Sequence, residues 1–262
     1  MTQEPKALAF KELFDLKNKT AIVTGGAAGI GFSSAQRLAE AGASVVIADL
    51  VPDIGQKKTQ ELTDSGFKAA FVKCDVTQEP EVANMVDFAV KTFGGLDIIV
   101  NNAGAYPNRP FTEMDADFWD KVMTLNMKGV YLCCYHATKQ MIKQGKGGNI
   151  INITSASASH PTAGLSAYDS SKSGIWMFTR TLATEMAPHK IWVNSVSPGP
   201  IHTEGTSSPE DVAFNQSRLH RLLMHRIGRP DEIANVVLFL ASPASSFITG
   251  GDISAEGGWT FT

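Results

Sequence analysis

Short apolar runs alternate along the chain with longer stretches in which apolar residues recur every three or four positions. The short runs are rich in Val and Ile, as in strands buried on both faces, and the longer spacing is that of amphipathic helices. Strands are predicted over Thr20–Thr24, Ser44–Asp49, Lys68–Val72, Leu96–Asn101, Asn149–Thr154, Ile191–Val196 and Asp252–Ala255. Helices are predicted over Ile30–Ala41, Asp53–Ser65, Glu79–Phe93, Thr112–Leu125, Lys128–Gln144, Ser166–Ala187 and Asp231–Leu240.

This alternation predicts an α/β fold, a doubly wound parallel sheet of about seven strands with helices on both faces. We expect a single domain over residues 14–262, preceded by an N-terminal extension over residues 1–13. One long irregular stretch, Ser197–Arg221, contains three prolines and two glycines. It indicates a lid or substrate loop over about 197–225, the alternative being a disordered surface insertion.

The bulk composition narrows the class of protein. With 262 residues and 43% hydrophobic content, the chain can form one substantial core. A net charge of −3 without a basic stripe predicts no nucleic-acid partner. The absence of an apolar run of about 18 residues predicts no membrane span, and Met1–Ala9 does not resemble a signal peptide.

Cysteine and histidine usage indicates the compartment and argues against a metal. The three cysteines, Cys74, Cys133 and Cys134, are odd in number, and two are adjacent. They make no disulfide framework, so we expect a reducing, cytoplasmic location. The six histidines have no metal-ligand spacing, and we predict no metal site.

A glycine-rich turn follows the first predicted strand. Residues Thr24–Gly31 read TGGAAGIG and lead into the first helix, where backbone and helix amino end can approach a phosphate closely. Asp49 ends the second strand about 20 residues later, where a carboxylate suits ribose hydroxyls and repels a 2′-phosphate. No Lys or Arg lies in the glycine turn or directly after Asp49. The pattern favours NAD over NADP, the alternative for Asp49 being a solvated turn or cap residue.

A tyrosine and a lysine stand four residues apart on the long helix Ser166–Ala187. At this spacing Tyr168 and Lys172 share one helix face, and an ammonium beside a phenol lowers the phenol pKa from about 10. Ser155 lies thirteen residues before Tyr168. The three side chains predict a general acid or base with a hydrogen-bonding partner, the alternative being a solvated pair beside a polar loop.

Together these segments resemble the short-chain dehydrogenase/reductase family, from about Phe14 to Trp259. The glycine turn matches the family motif TGxxxGxG, and NNAG at Asn101–Gly104 matches the motif after the fourth strand. The pair Tyr168 and Lys172 matches the family's YxxxK. Other matches are Asn126, Ser155, Asp75-Val76, Pro198-Gly199 and Thr203. The chain departs from the family near its end, where Glu256 replaces the Asp of Asp-Gly-Gly; this change could alter a pocket wall or a subunit contact.

The resemblance implies a Rossmann-type domain that binds a nicotinamide dinucleotide. Asp75 would contact the adenine amino group, its alternative being a turn residue, and Thr203 would bind the carboxamide. The residues assigned in this way to cofactor binding are Gly25, Gly29, Ile30, Gly31, Asp49, Asp75, Val76, Asn102, Ala103, Gly104, Tyr168, Lys172, Pro198, Gly199, Ile201 and Thr203.

The resemblance also implies a catalytic set of four residues. Tyr168 would take a proton from an alcohol, and Lys172 would keep the phenolate accessible. Ser155 would hydrogen-bond the substrate oxygen, and Asn126 would hold a water that links Lys172 to solvent. The alternative for Asn126 is a helix or turn cap.

Residues after Ser155, after the fourth strand and in the lid are expected to line the substrate pocket. The main candidates are Ser157, His160, Tyr106 and Trp259, followed by Asn108, His202 and Phe214. This mixture of polar and aromatic groups suits a secondary alcohol such as a polyol, sugar or cyclic alcohol, or its ketone. The alternatives are a 3-oxoacyl-thioester or other ketone reductase of the same family, and a non-catalytic NAD-binding sensor.

Four bulky apolar residues in a row, Ile175–Phe178, cover most of the circumference of their helix. One face can pack on the sheet, and another would need a partner. The resemblance implies a homotetramer that uses this helix, the alternative being a helix buried within one chain.

Overall fold

The computed structural model describes residues 7–204 and 219–261. Its centre is a seven-stranded sheet in the order β3-β2-β1-β4-β5-β6-β7, and every neighbouring pair is parallel. The strands are β1 Thr20–Thr24, β2 Ser44–Asp49, β3 Ala69–Lys73, β4 Ile98–Asn101, β5 Gly148–Ile153, β6 Ile191–Pro198 and β7 Asp252–Ala255. The fold class predicted from the alternation is confirmed.

Helices connect the strands and cover both faces of the sheet. They are α1 Gly29–Glu40, α2 Pro52–Asp64, α3 Glu79–Phe93, α4 Ala116–Met123, α5 Gly129–Gln144, α6 Ser166–Met186 and α7 Pro230–Ala241. A single π-helical turn, Thr124–Lys128, joins α4 to α5. Short 3-10 turns include Phe10–Glu12, Phe111–Glu113, Ala156–Ala158, Leu219–Arg221 and Trp259–Phe261.

Two apolar cores lie on opposite faces of the sheet. Side chains of one strand alternate between them, as with Ile22 in one core and Val23 in the other. The first core contains residues of α3, α5 and α6, and the second contains residues of α1, α2 and α7. Burial on both faces explains why the strands read as continuous apolar runs.

The chain reverses its direction of winding at the centre of the sheet. β1 pairs with β2 on one side and with β4 on the other, so the connections after β1 and after β4 leave in opposite directions. In sheets of this kind a crevice opens beyond the carboxyl ends of the strands at this point. The turns after β1, β4, β5 and β6 all lie at that edge.

The helix predicted over Thr112–Leu125 begins later than expected. Asp115 accepts a hydrogen bond from the backbone N–H of Phe118 at 2.8 Å, so this side chain caps the helix, and α4 begins at Ala116. The residues before it form the separate 3-10 turn. The remaining predicted elements end within two residues of those observed.

Several expectations fall on segments outside the described residues. The structure describes neither residues 1–6 nor residues 205–218, which include Phe214 and much of the proposed lid. The extension, the lid and the domain boundaries stay predictions. Among the residues that are described, no helix combines the length and apolar character needed to cross a bilayer. The same residues contain no cluster of three or more His, Cys, Asp or Glu side chains placed to hold a metal ion.

Candidate active site

Glycines shape the turn between β1 and α1. Gly29 has a φ of +51°, a conformation that side-chain-bearing residues rarely adopt. A Cβ on Gly31 would collide with the carbonyl oxygen of Gly25. These positions therefore require glycine, and the turn leaves its backbone open to a ligand.

The amino end of α1 holds a carboxylate in this structure. Its N-cap residue, Ala28, provides no side-chain cap. The backbone N–H of Gly29 instead donates to Oε2 of Glu204 at 3.1 Å. Beside it, a Cβ on Gly29 would lie 3.0 Å from Cγ2 of Thr203. The helix end thus accommodates an anion, as expected for a site that fits a dinucleotide phosphate.

Asp49 lies against the glycine turn, at the end of β2. Its Oδ2 accepts from the backbone N–H of Ala27 at 3.1 Å, and its Oδ1 accepts from the N–H of Val51 at 3.1 Å. The structure therefore brings together the two features from which the sequence predicted a dinucleotide site.

Asp75 and Val76 lie away from the cavity at the centre of the site. Oδ1 of Asp75 accepts from the backbone N–H of Thr77 at 2.9 Å and from its hydroxyl at 2.7 Å. These contacts are those of a turn residue, the alternative weighed for Asp75 from the sequence. Val76 is buried and packs on Gly129 at the start of α5.

The NNAG segment after β4 is bound to the glycine turn. Nδ2 of Asn102 donates to the carbonyl oxygens of Thr24 at 3.1 Å and of Gly25 at 3.0 Å. The N–H of Ala103 donates to Oγ1 of Thr24 at 3.2 Å. Asn102 and Gly104 line the cavity, and Ala103 packs against the core behind it.

The π-helical turn points Asn126 at the loop after β4. Asn126 is fully buried, and its amide exchanges two 2.9 Å hydrogen bonds with the backbone of Ala105. Its Nδ2 also reaches Oγ of Ser171 on α6 at 3.1 Å. A Cβ on Gly104 would lie 3.0 Å from Oδ1 of Asn126 and 3.7 Å from Nζ of Lys172. The absent side chain keeps this space open between Asn126 and Lys172.

Ser155, Tyr168 and Lys172 converge at the carboxyl end of β5. Ser155 and Tyr168 both line the cavity there, and Oγ of Ser155 accepts from the backbone N–H of Ser157 at 3.1 Å. Nζ of Lys172 lies 5.7 Å from the centre of the Tyr168 ring and donates to the carbonyl oxygen of Ile153 at 2.8 Å. The ring of Tyr106 packs edge-on against Tyr168, with 6.2 Å between the ring centres.

The titration behaviour of the pair differs from the sequence-based expectation. Burial raises the pKa of Tyr168 to about 12, against the lowering effect of the Ser155 hydroxyl; electrostatic interactions with Asp169 and then Tyr106 add to the rise. Burial also lowers the pKa of Lys172 to about 8. The expected lowering of the phenol pKa by Lys172 is wrong for this structure, because desolvation dominates at both groups and the ammonium is bonded to Ile153.

The turn after β6 forms another wall. β6 extends to Pro198, beyond the predicted end, and Gly199 packs so closely on Glu256 that a Cβ would lie 2.7 Å from the Glu256 Cα. Ile201 forms an isolated bridge with Gly228. The two oxygens of the Glu256 carboxylate accept hydrogen bonds from Thr260, one from its backbone N–H and one from its hydroxyl, each at 3.1 Å.

A cavity of about 270 Å³ lies between these turns. Of the residues predicted from the sequence, it is lined by Ile30, Asn102, Gly104, Tyr106, Ser155, Ser157, Tyr168, Lys172, Pro198, Gly199, Ile201, Thr203 and Trp259. His160, His202 and Asn108 are not among the described lining residues. The ring nitrogen Nδ1 of His160 lies 3.1 Å from the Ser159 hydroxyl, His202 is exposed, and Asn108 packs on Gly164.

Sequence reasoning missed several lining residues. Thr162 and Leu165 come from the segment before α6, and Ala156 follows Ser155 directly. Pro200 follows the Pro198-Gly199 turn. Their position between Ser155 and Tyr168, or next to a matched motif, is the signal that could have identified them.

Comparisons with known proteins cover almost the whole chain. A family model described as Enoyl-(Acyl carrier protein) reductase matches residues 25–260. A cis-4-hydroxycyclohexanecarboxylate dehydrogenase of Sinomonas cyclohexanicum is 39% identical over 244 residues, 92% of this chain and 96% of that protein. A 3beta-hydroxysteroid dehydrogenase 2 of Eggerthella lenta is 39% identical over 249 residues, 94% of this chain and 96% of that protein.

A solved structure agrees with these matches. The crystal structure of a short-chain type dehydrogenase/reductase from Mycobacterium marinum superposes with a TM-score of 0.92. It is 38% identical in sequence, and the alignment covers 96% of this chain and 99% of that one.

Proposed function

The chain belongs to the short-chain dehydrogenase/reductase family, and we propose that it is an NAD(H)-dependent dehydrogenase of compact cyclic secondary alcohols. The observation that carries the proposal is that Ser155, Tyr168 and Lys172 line the same cavity. An alcohol oxygen placed there meets a hydrogen-bond donor and a proton acceptor together.

Each side chain of the site has a separate part in the reaction. Ser155 holds the substrate oxygen, and Tyr168 takes the hydroxyl proton in oxidation or returns it in reduction. Lys172 lies beside the phenol, and Asn126 fixes the loop after β4 against α6. When bound, a nicotinamide dinucleotide supplies the hydride acceptor in oxidation and the hydride donor in reduction.

The surroundings of Asp49 support NAD as the dinucleotide. Its carboxylate lies beside the glycine turn, where the 2′-phosphate that distinguishes NADP from NAD would meet a like charge. The residues that follow it are Leu50, Val51 and Pro52, none of which can balance that charge. We therefore expect a higher kcat/KM with NAD than with NADP.

The walls of the cavity support a compact and mostly apolar substrate. Ala156, Leu165 and Trp259 are each less than a tenth exposed and face the cavity together with Tyr106. Polar side chains share these walls, among them the hydroxyl-bearing Ser157, Thr162 and Thr203. An alicyclic ring that carries one or two hydroxyls can pack on the apolar side chains while its oxygens meet these polar groups. Both relatives described above are named for cyclic substrates.

A substrate panel tests the proposal. Reduced dinucleotide is measured by absorbance while the protein turns over cyclohexanols, cyclic diols, linear polyols, sugars and hydroxyacyl thioesters, each with NAD and with NADP. We expect the highest kcat/KM for cyclic alcohols with NAD. Turnover of polyols or sugars alone would contradict the ring preference.

The match to a model described as a reductase of acyl carrier protein substrates makes a second activity worth testing. Turnover restricted to thioesters, read as oxidation of the reduced dinucleotide by a 3-oxoacyl thioester, would identify this alternative. Dinucleotide binding without turnover on any member of the panel would instead indicate a sensor.

We also propose a cytoplasmic homotetramer. All three cysteines are buried free thiols, as is usual in a reducing compartment. The outer faces of α5 and α6 expose apolar side chains, among them Tyr131, Tyr135 and Met177. Such exposed groups support a subunit interface on these two helices.

A further inference from the structure

Two side chains of α6 fasten the segment Ala156–Leu165, which links Ser155 to the helix. Asp169 accepts from the backbone N–H of Thr162 through Oδ2 at 2.8 Å. One turn later, Ser173 donates its hydroxyl to the carbonyl oxygen of Ala158 at 2.7 Å. The segment is therefore fixed to the helix that carries Tyr168 and Lys172.

Asp169 lies in the first turn of α6, and its side chain accepts a hydrogen bond from the segment that precedes the helix. The N-cap position, Leu165, has no side-chain cap, yet the Asp169 carboxylate reaches past it to Thr162. Asp169 is 9% exposed. Aspartates are rarely buried to this degree unless their carboxylates have partners.

The fastened segment forms part of the substrate cavity. Thr162 and Leu165 line it, and the carbonyl oxygen of Gly164 accepts from the N–H of Arg109 at 2.8 Å. The segment is thus tied both to the loop after β4 and to α6. Without the Asp169 bond, Thr162 would lose its hydrogen bond to the helix, and Ser173 would be left as the side-chain attachment of the segment.

Asp169 is also the neighbour of Tyr168 in the chain, and its charge acts on the phenol. The titratable or charged groups around Tyr168 are Asp169 and Lys172 on α6 and Tyr106 from the loop after β4. The uncharged hydroxyl of Ser155 acts in the opposite direction and lowers the pKa of the phenol. On the fastened segment, His160 is two residues from Thr162. The negative charge of Asp169 opposes ionisation of the phenol.

We propose that Asp169 is a positioning and specificity-determining residue, which holds the Thr162–Leu165 wall of the substrate cavity and whose charge restrains proton release by Tyr168. The inference rests on the proposed function, because it concerns the same cavity and the same proton. It adds a residue that does not line the cavity and does not touch the reacting atoms.

Two substitutions separate the two effects of Asp169. Asp169→Asn keeps an oxygen that can accept from Thr162 and removes the charge. Asp169→Ala removes both. Ser173→Ala is the matched control for the wall, since it breaks the second attachment without changing a charge. Glu185→Gln, an exposed acid on the same helix, is the matched control for the charge.

The measurements are kcat and KM for two cyclic alcohols of different size, from pH 6 to pH 10 at saturating dinucleotide, with dinucleotide Kd measured separately. We expect Asp169→Asn to move the ascending limb of alcohol oxidation to lower pH by about half a unit, because a like charge is removed. Its KM values should stay within about twofold of the wild type. Asp169→Ala should show the same shift and a roughly tenfold rise in KM for the smaller alcohol, with unchanged dinucleotide Kd.

The controls and the contrary outcomes are distinct. Glu185→Gln should leave the pH profile unchanged. Ser173→Ala should raise KM and also leave the pH profile unchanged. An unshifted limb in Asp169→Asn, or an unchanged KM in Asp169→Ala, would overturn the inference while the wild type still turns over alcohols. A wild type without turnover on any alcohol would refute the proposed function instead. If Asp169→Ala does not fold, as judged by circular dichroism, the profile of Asp169→Asn still decides.

Discussion

At the residue scale, burial shifts the pKa values of Tyr168 and Lys172 in the direction that favours the neutral form of each side chain. The pKa of Tyr168 is raised to about 12 and that of Lys172 is lowered to about 8, each mainly by desolvation. The pKa of a lysine is ordinarily slightly higher than that of a tyrosine, and here the order is reversed, so that the phenol keeps its proton to a higher pH than the amine does. A site arranged in this way holds a proton on the phenol until a further positive charge stabilises the phenolate.

Replacement of Tyr168 by Phe tests the proton-transfer role. Phe fills the same volume and cannot exchange a proton, so we expect kcat to fall by about a thousandfold or more, within the range for loss of a general acid or base. Dinucleotide Kd, followed by fluorescence titration, should change by less than about twofold. Tyr106→Phe removes a hydroxyl from the same cavity and should retain most activity. Comparable losses in both variants would argue against a special role for Tyr168.

Because Lys172 is buried, we expect the free energy of unfolding to depend on pH. The pKa of Lys172 falls from 10.5 in the unfolded chain to about 8 in the fold, so between these values the unfolded state binds more protons. Stability should therefore rise with pH across this window and lose this contribution below about pH 8. The whole shift corresponds to about 3 kcal/mol.

The measurement is the free energy of unfolding in urea at intervals from pH 7.5 to pH 10. Lys172→Met should flatten the rise by an amount on the order of 2 kcal/mol. Lys143→Met removes an exposed lysine of α5 and should leave the slope as it is. A slope that persists in Lys172→Met would show that another group causes it.

At the element scale, the contrast between continuously apolar strands and periodic helices made the fold predictable. Strands covered on both faces must be apolar throughout, and helices packed on one side must be periodic, so the alternation could be read directly. Helix ends depended on individual side chains, such as the cap by Asp115, which moved the start of α4. The π-helical turn at Asn126 has no period of its own, and the sequence predicted two helices there without it.

Only those parts of the candidate site whose residues lie close together in the sequence could be predicted. Tyr168 and Lys172 lie one helical turn apart, and the glycine turn is continuous in sequence. The contact between Gly29 and Glu204 joins residues 175 positions apart, and no local pattern marks it. The hydrogen bond of Asp169 to Thr162 spans seven positions across a helix start, where spacing rules do not apply.

The carboxylate at the amino end of α1 should compete with a dinucleotide phosphate. Glu204→Gln keeps a polar side chain and removes the charge held at the Gly29 N–H. We expect dinucleotide binding, measured by calorimetry, to tighten about two- to fivefold, since a charge at a helix end contributes about 0.3–1 kcal/mol. Glu40→Gln, at the opposite end of α1, should have no effect. Weaker binding in Glu204→Gln would show that the carboxylate assists the dinucleotide.

At the scale of the whole molecule, helices cover both faces of the sheet, and α5 and α6 also carry exposed apolar side chains. Within Ile175–Phe178, Ile175 is completely buried and Phe178 packs against the core, whereas Met177 is 54% exposed. The run is thus divided between the interior and the surface. On α5, the rings of Tyr131 and Tyr135 stack with 6.1 Å between their centres and are both exposed. These groups form the outer face that we assign to subunit contact.

A charge at the centre of this face should disrupt the assembly. In a tetramer that uses α6, Met177→Glu would bury an unpaired carboxylate in an apolar contact, at a cost of several kcal/mol. We expect light scattering after size exclusion to show a tetramer for the wild type and dimers or monomers for the variant. Phe10→Glu makes the same kind of change at an exposed residue of the N-terminal 3-10 turn and should leave the tetramer intact. A wild type that elutes as a monomer would refute the assembly, and a tetrameric Met177→Glu would move the interface to another surface.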